Sequence, residues 1–368
     1  MPDFHKRRDR LRKLICQAQA DAMLVTGPKN VTYLTGFTGE DSYLLLHDRA
    51  VMLSDPRYTA QIEEECPGLE MLVRRPGKPI LELAVGAIRS ARIQRLAIEG
   101  GSMTAESLRH LEKALPRVEL IVTSGMVEQL REVKDREEVE KIRQSARIAE
   151  RAFAVVKASL RGGMSEKEVA DELEYQVRLF GGQCGSFPPV VAAGERAALP
   201  HARPGGARIG DSRFLLVDWG AQFDLYASDL TRMILLGKAS PRLQRVYETV
   251  LAAQQRAIEA IRPGTLMEEV DAAARDVVTA AGYGRRWRHS VGHGIGLDVH
   301  ELPRLAVDQK RPLLPGMVVT VEPGIYIPGW GGVRIEDDVL VTRDGHEVIT
   351  QCPKELADCT IADSGGSN

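Results

Sequence analysis

The sequence has little of what marks a secreted, membrane-bound or nucleic-acid-binding chain. Its 368 residues include five cysteines, Cys16, Cys66, Cys184, Cys352 and Cys359, odd in number, scattered and free of any CxxC pair. That usage argues against a disulfide frame or a thiolate zinc site and fits reduced thiols in a cytoplasmic protein. No apolar run approaches the roughly 18–20 residues that cross a bilayer, so no membrane partner is expected. The opening MPDFHKRRDRLRKL is charged throughout and has no apolar signal core. Neither sign of charge is in excess: 49 Lys and Arg face 51 Asp and Glu, for a net charge of −2. A basic field that would draw nucleic acid is therefore missing, and the one basic run, from Lys6 to Lys13, reads as a solvated helix face.

What is present is an ordinary globular composition, 43% hydrophobic and 27% charged. At roughly 100–200 residues per domain the length suggests two domains. The first reads as α/β over residues 1–131. A helix from Lys6 to Ala20 precedes short apolar runs at Ala22–Thr26, Tyr43–His47, Ala50–Ser54, Met71–Val73 and Leu96–Ile98. Gly, Pro, Asp or Arg bound each run, as they bound strands. Helical stretches at Asp55–Glu65 and Met103–Ala114 alternate with them. Near residue 131 the character changes. Asp135 with Glu138 predicts a capped amphipathic helix that opens a second domain over residues 132–368.

That second domain carries a weak internal repeat. At an offset of 101 residues Arg161 matches Arg262, Gly163 matches Gly264, Glu168-Val169 matches Glu269-Val270, and Gly181 matches Gly282. Ser165 with Glu168 caps a helix in the first copy. In the second, Ser240-Pro241 starts one helix and Thr265 with Glu268 is expected to cap the next. Strand-like segments follow each copy, so a duplicated α+β unit with an approximate two-fold axis would gather its strands around a shared cleft.

The chemistry lies on those strands. In FLLVDWGAQFDLYASDLTRMILL a turn centred between Phe223 and Asp224 would set Asp218 directly opposite Asp229. Facing carboxylates in an apolar ladder need a counter-charge, most simply a divalent cation; taken alone, this pair is read more simply with one Asp sitting in a turn. A second pair, Glu322 and Glu336, flanks a Pro- and Gly-rich loop at residues 323–332. Arg334, two residues before Glu336, would share its face in a strand and could orient it or hold a substrate carboxylate. His293 lies in GHG, where glycines allow close backbone approach to a metal or ligand. One imidazole and four carboxylates balance two divalent ions, which can activate a water and polarise a carbonyl.

The order Asp, Asp, His, Glu, Glu, with the phrases DWG, SDLTR, GHGIGLDVHE, VEPGIY and GVRIED, resembles the two-metal pita-bread peptidases. The segments NVTYLTGFTGE and SDPRYTAQ resemble the N-terminal domain of their proline-specific branch, Xaa-Pro aminopeptidase and Xaa-Pro dipeptidase (prolidase). Methionine aminopeptidases lack that domain. The resemblance implies an N-terminal creatinase/prolidase-like α/β domain and a pita-bread catalytic domain. It implies Asp218, Asp229, His293, Glu322 and Glu336 as ligands of two divalent ions, with Asp229 and Glu336 bridging both. Manganese is the first choice of metal, with cobalt, zinc or iron as alternatives. His201 in ALPHARPG and His300 in DVHE fall where the family contacts substrate, and Arg334 matches the arginine of GVRIED.

The implied reaction is hydrolysis of the bond between an N-terminal residue and proline. His201 or His300 would steady the oxyanion, and Glu322 would carry the proton to the leaving nitrogen. The expected partner is a peptide with proline second, acted on by a homodimer. An Xaa-Pro dipeptidase is the alternative, and a non-catalytic binding module is a further one. In one place the chain departs from the family: Gly194-Glu195-Arg196-Ala197-Ala198 replaces a Pro-Asn-Ser-Ala-like run beside the expected cleft, which bears on substrate preference.

Overall fold

The computed structural model describes residues 3–361. It divides into two compact units, Met1–Arg131 and Glu132–Asn368.

The first unit is built on a six-stranded mixed sheet. Its strands are β1 (Ala22–Val25), β2 (Tyr43–Leu46), β3 (Ala50–Ser54), β4 (Glu70–Val73), β5 (Arg95–Glu99) and β6 (Glu119–Thr123), in the spatial order β4-β3-β2-β1-β5-β6. The helices are α1 (Phe4–Gln17), α2 (Pro28–Thr35), α3 (Thr59–Glu65), α4 (Ile80–Ser90), α5 (Ala105–Ala114) and α6 (Met126–Arg131). Strands β1 and β5 pair in parallel, and α4 makes the crossover from the edge strand β4 to β5. β6, α2, α4 and α6 were not among the elements expected from the sequence. The buried face of α4, Ala84, Val85, Ala87 and Ile88, packs against Leu24, Leu53 and Leu96 of the sheet.

The second unit starts with α7 (Arg136–Ser159), and its cap is the expected one: Asp135 accepts from the Glu138 amide at 2.9 Å while Glu138 accepts from the Asp135 amide at 2.9 Å. Then follow α8 (Glu166–Leu179), β7 (Val190–Ala193), β8 (Phe214–Trp219), the short pair β9 (Gln222–Phe223) and β10 (Tyr226–Ala227), and β11 (Leu230–Leu236). The second copy is α9 (Pro241–Ala260), α10 (Met267–Ala280), β12 (Gly292–Gly294), β13 (Glu301–Leu305), β14 (Val318–Val321), β15 (Gly324–Ile327), β16 (Gly331–Arg334), β17 (Asp337–Val341) and β18 (His346–Val348). A last turn, α11 (Leu356–Cys359), leads into β19 (Thr360–Ile361).

The duplication is real at the level of topology. α8 and α10 begin at Glu166 and Met267, 101 residues apart, and both end before a left-handed glycine, Gly181 at φ 95° and Gly282 at φ 84°. The strands β7-β8-β11 of one sheet correspond to β12-β14-β17 of the other. The same offset corrects the expected cap of α10. Ser165 maps onto Leu266, not Thr265, and it is Glu269 that reaches back to the Leu266 amide at 2.9 Å.

Alternation along β8 separates two cores. Leu215, Val217 and Trp219 face α7 and α8, whereas Phe214 and Leu216 face the interior shared with α9, α10 and the second sheet. Asp218 takes the next position on that shared face. On β11, Met233 and Leu235 continue the row occupied by Thr231, with Asp229 two residues before it. The duplicated strands thus aim their carboxylates between the halves.

Candidate metal centre

The Asp218–Asp229 hairpin is in a different register from the expected one. Asp218 pairs with Thr231, and the turn falls at Asp224-Leu225, both left-handed at φ 45° and 71°. The interruption lies at Gly220, where a Cβ would sit 1.9 Å from the Ser228 carbonyl oxygen. The two strands cross there too closely for any side chain, and the ladder breaks between β9–β10 and β8–β11. Asp229 still lies on the Asp218 face, diagonally displaced instead of opposite.

Glu322 follows β14, and Glu336 sits in the joint between β16 and β17. The segment between them was expected to be a loop, but it is mostly the hairpin β15–β16, with Gly324 opposite Arg334. The glycines around His293 are required by the fold itself. A Cβ on Gly292 would meet the Thr320 carbonyl at 1.8 Å, and one on Gly294 would meet the Leu302 carbonyl at 2.2 Å. They let β12 press between β13 and β14.

All five expected ligands converge. Donor atoms of Asp218, Asp229 and Glu336 lie within 4.8 Å of one another, as do those of His293, Glu322 and Glu336. Glu336 belongs to both groups. A third group joins Asp229 and His293 to His300, whose ring centroid is 4.1 Å from that of His293. The His293 Nδ1 faces the Gly294 carbonyl at 3.2 Å and donates to it. Its Nε2 points into the carboxylates, 3.3 Å from Glu322 and 3.9 Å from Asp229.

The electrostatics of the cluster call for cations. Burial, reinforced by neighbouring carboxylates, pushes Asp229 and Glu336 well above the ordinary carboxylate range. Asp218 is also raised by burial, against the pull of Arg334. Glu322 is the exception: burial pushes it up, but the His293 hydrogen bond and charge bring it below its usual value. The buried Asp218 Oδ1 has no hydrogen-bond partner among the described residues. Four crowded carboxylates faced by one imidazole and Arg334, with an orphaned oxygen aimed among them, fit a pair of divalent ions.

Arg334 is 3% exposed and ties the centre together. It pairs with Asp218, donates from Nε to the Thr231 hydroxyl at 3.0 Å, and reaches the Tyr326 hydroxyl at 2.8 Å and the Pro200 carbonyl at 3.3 Å. Thr231 in turn donates to Glu336 at 2.6 Å. Arg334 therefore orients Glu336 through a threonine instead of touching it. The Asp338 carboxyl accepts from the Asp229 amide at 3.1 Å, and burial pushes it up to about 8. The Arg232–Asp337 pair lies just behind, with the Arg232 Nη1 2.5 Å from the Glu336 carbonyl. Thr231, Asp338, Tyr326, Arg232 and Asp337 were not singled out in the sequence. The available signal was spacing, because Thr231 and Asp338 stand two residues after an expected ligand on an extended chain.

The carboxylates sit at the base of a cavity of about 650 Å³. His201 and His300, both exposed, lie on its wall, with Phe187, Val190, Val299 and Leu302 as apolar neighbours. Burial and the nearby His293 hold His300 below its usual value, so at neutral pH it is an uncharged donor. Arg196 is not on that wall, which begins at Pro200 on this side.

Comparison with known proteins agrees with this centre. Residues 140–343 match the model of metallopeptidase family M24, and residues 7–133 match the creatinase/prolidase N-terminal domain. The chain is 40% identical to uncharacterized peptidase YqhT of Bacillus subtilis (strain 168), over 95% of this chain and 98% of that protein. An Xaa-Pro dipeptidase from Bacillus anthracis superposes with a TM-score of 0.93 at 40% identity, covering 96% and 99% of the two chains. An X-Pro aminopeptidase from Thermotoga maritima gives 0.87 at 34% identity, covering 96% and 100%. A pita-bread fold, a cluster of carboxylates and imidazole suited to divalent ions, and these matches lead to one conclusion: the chain belongs to metallopeptidase family M24, in the branch that carries a creatinase/prolidase N-terminal domain.

Proposed function

We propose that this centre hydrolyses the peptide bond between an N-terminal residue and proline, with Asp218, Asp229, His293, Glu322 and Glu336 holding two divalent ions. The observation that carries the reading is the overlap of two donor groups in Glu336. Bound there, the ions would supply Lewis acidity, lowering the pKa of water and polarising a carbonyl. Glu322 takes the proton of the attacking water and returns it to the leaving proline nitrogen. His201 and His300 donate hydrogen bonds toward the oxygen on which charge develops. Arg334 stays fixed, holding Asp218 directly and Glu336 through Thr231. The apolar wall beside the histidines suits a pyrrolidine ring. Manganese as the native ion accords with an oxygen-rich donor set. A cytoplasmic location accords with five free cysteines, and a homodimer belongs to the same proposal.

Two substrate ranges are open, an aminopeptidase acting on longer Xaa-Pro peptides and a dipeptidase confined to Xaa-Pro. One feature supports the second. Arg304, exposed and paired across the ladder with His293, lines the cavity and can meet the free carboxylate of a dipeptide. The test compares an Xaa-Pro dipeptide with an Xaa-Pro tripeptide and a longer peptide under manganese or cobalt. Turnover that appears with metal and vanishes with chelator supports the proposal, and selectivity for the dipeptide supports the narrower range. Metal bound without turnover of any of the three would refute the reading in favour of a binding module.

A further inference from the structure

The run Gly194–Ala198 departs from the family pattern, and the metal centre gives it no task. In the structure it is a single tight turn after β7. Arg196 turns away from the cavity toward Glu166. Its Nε lies 2.9 Å from both Glu166 oxygens, and its Nη2 donates to the Arg203 carbonyl at 2.6 Å. Glu166 opens α8 and is 0% exposed. The same carboxylate accepts from the Ala193 amide at 2.9 Å and from the Gly205 amide at 3.1 Å. One buried group thus gathers the chain on both sides of His201 and closes residues 196–205 into a loop. Arg334 adds a contact beside His201, at the Pro200 carbonyl.

The duplicated half provides an internal comparison. The residue 101 positions after Glu166 is Met267, also 0% exposed and also the first residue of its helix. Their amides make matching bonds, Glu166 to the Ala207 carbonyl and Met267 to the Arg311 carbonyl, both at 3.0 Å. Where packing alone is needed, the position holds an apolar side chain. A carboxylate there is unfavourable unless its oxygens are paired, so packing does not account for Glu166. In the second half the corresponding loop carries His300, and it too is held by an ion pair, here with both partners buried, Lys134 to Glu301 at 2.8 Å. Each half therefore presents one imidazole to the cavity from a loop tied down by one buried carboxylate.

We propose that the Glu166–Arg196 pair is the positioning device of His201, fixing its imidazole on the cavity wall in place for reaction. Neither residue touches substrate. The proposal rests on the Xaa-Pro hydrolysis reading for its kinetic readout, because a displacement of about 1 Å in such a group can lower rates by about a hundredfold.

The test uses the full chain with manganese and the variants Arg196→Met, Arg196→Lys, His201→Ala and Arg196→Met with His201→Ala. Arg196→Met is expected to lower kcat about tenfold with KM within about twofold, and Arg196→Lys to recover part of the loss. In the His201→Ala background, Arg196→Met should cause no further loss. A double variant imitating the second half, Glu166→Met with Arg196→Leu, should fold and show the same kcat defect. Hydrogen exchange supplies a readout independent of activity: in Arg196→Met, amides within residues 197–205 should exchange faster while β8 and β11 do not change. An equal kcat loss with and without His201, an unchanged kcat in folded Arg196→Met, or unchanged exchange in the loop each overturns the proposal. If the wild-type chain cleaves no Xaa-Pro peptide, the functional reading has failed instead, and the exchange result still decides whether the pair holds the loop.

Discussion

Replacing Thr231 with valine isolates the link between Arg334 and Glu336. Thr231 is 0% exposed, donates to Glu336 at 2.6 Å and accepts from Arg334 at 3.0 Å. Valine conserves the volume, so no cavity opens, but the hydroxyl disappears and both charged partners lose a bond. Each such bond contributes about 1.5–3 kcal/mol. Not all of this reaches the metal, because Arg334 keeps Asp218 and Tyr326. Loss of a group that orients a ligand typically weakens metal affinity by about 10–100-fold, equivalent to about 1.4–2.8 kcal/mol. The expectation for Thr231→Val is a manganese Kd raised within that range, measured by competition with a fluorescent chelator, with circular dichroism unchanged. Thr231→Ser keeps the hydroxyl and should stay near wild type. A Kd for Thr231→Val within about twofold of wild type, in folded protein, would show that Glu336 does not depend on this relay.

Other consequences can be measured in the same way. Asp229→Ala should abolish retention of metal through desalting, as metal analysis would show; full retention would remove Asp229 from the ligand set. In the metal-free protein, Asp229 and Glu336 titrate well above the ordinary carboxylate range, so the folded state holds protons that the unfolded chain has lost. Its stability therefore falls as pH rises through that window, and added metal displaces those protons. The melting-temperature gain from saturating manganese should accordingly grow between pH 5 and pH 8 on calorimetry, and a gain that shrinks with pH would contradict the assignment. Lys134→Met leaves Glu301, 4% exposed in its side chain, without that cation and should destabilise by about 3–5 kcal/mol in urea, with recovery in Lys134→Met with Glu301→Leu.

The five residues that cluster were legible because they stand in compact phrases, whereas the geometry between them was not. The hairpin register depended on Gly220 passing the Ser228 carbonyl, a close approach that no periodicity announces. The stretch from Pro323 to Gly332 read as loop because its Pro and Gly content outweighs the strand-forming Ile-Tyr-Ile, yet it pairs as β15–β16. In the first unit, ELIVT and ILELAVGAIRS form β6 and α4 without a decisive sequence pattern. Short apolar runs carry weak type information, and their identity follows from the sheet they join. Thr231, Asp338 and Arg232 are unremarkable residue types, given their roles by neighbours about a hundred positions away. The 101-residue repeat was the most informative long-range signal. It predicted the paired sheets, and applied strictly it also places the α10 cap at Leu266.

Neither copy of the duplicated unit holds the whole of the proposed reaction centre. His201, Asp218 and Asp229 come from one copy, and His293, His300, Glu322 and Glu336 from the other. Several bonds joining the copies involve these groups or their neighbours, among them the Glu336 amide to the Thr231 carbonyl, Asp338 to the Asp229 amide, and Arg334 to Asp218. Shear between the copies of about 1 Å would lower activity by about a hundredfold while leaving every helix intact. On gradual heating, activity should accordingly disappear before secondary structure does.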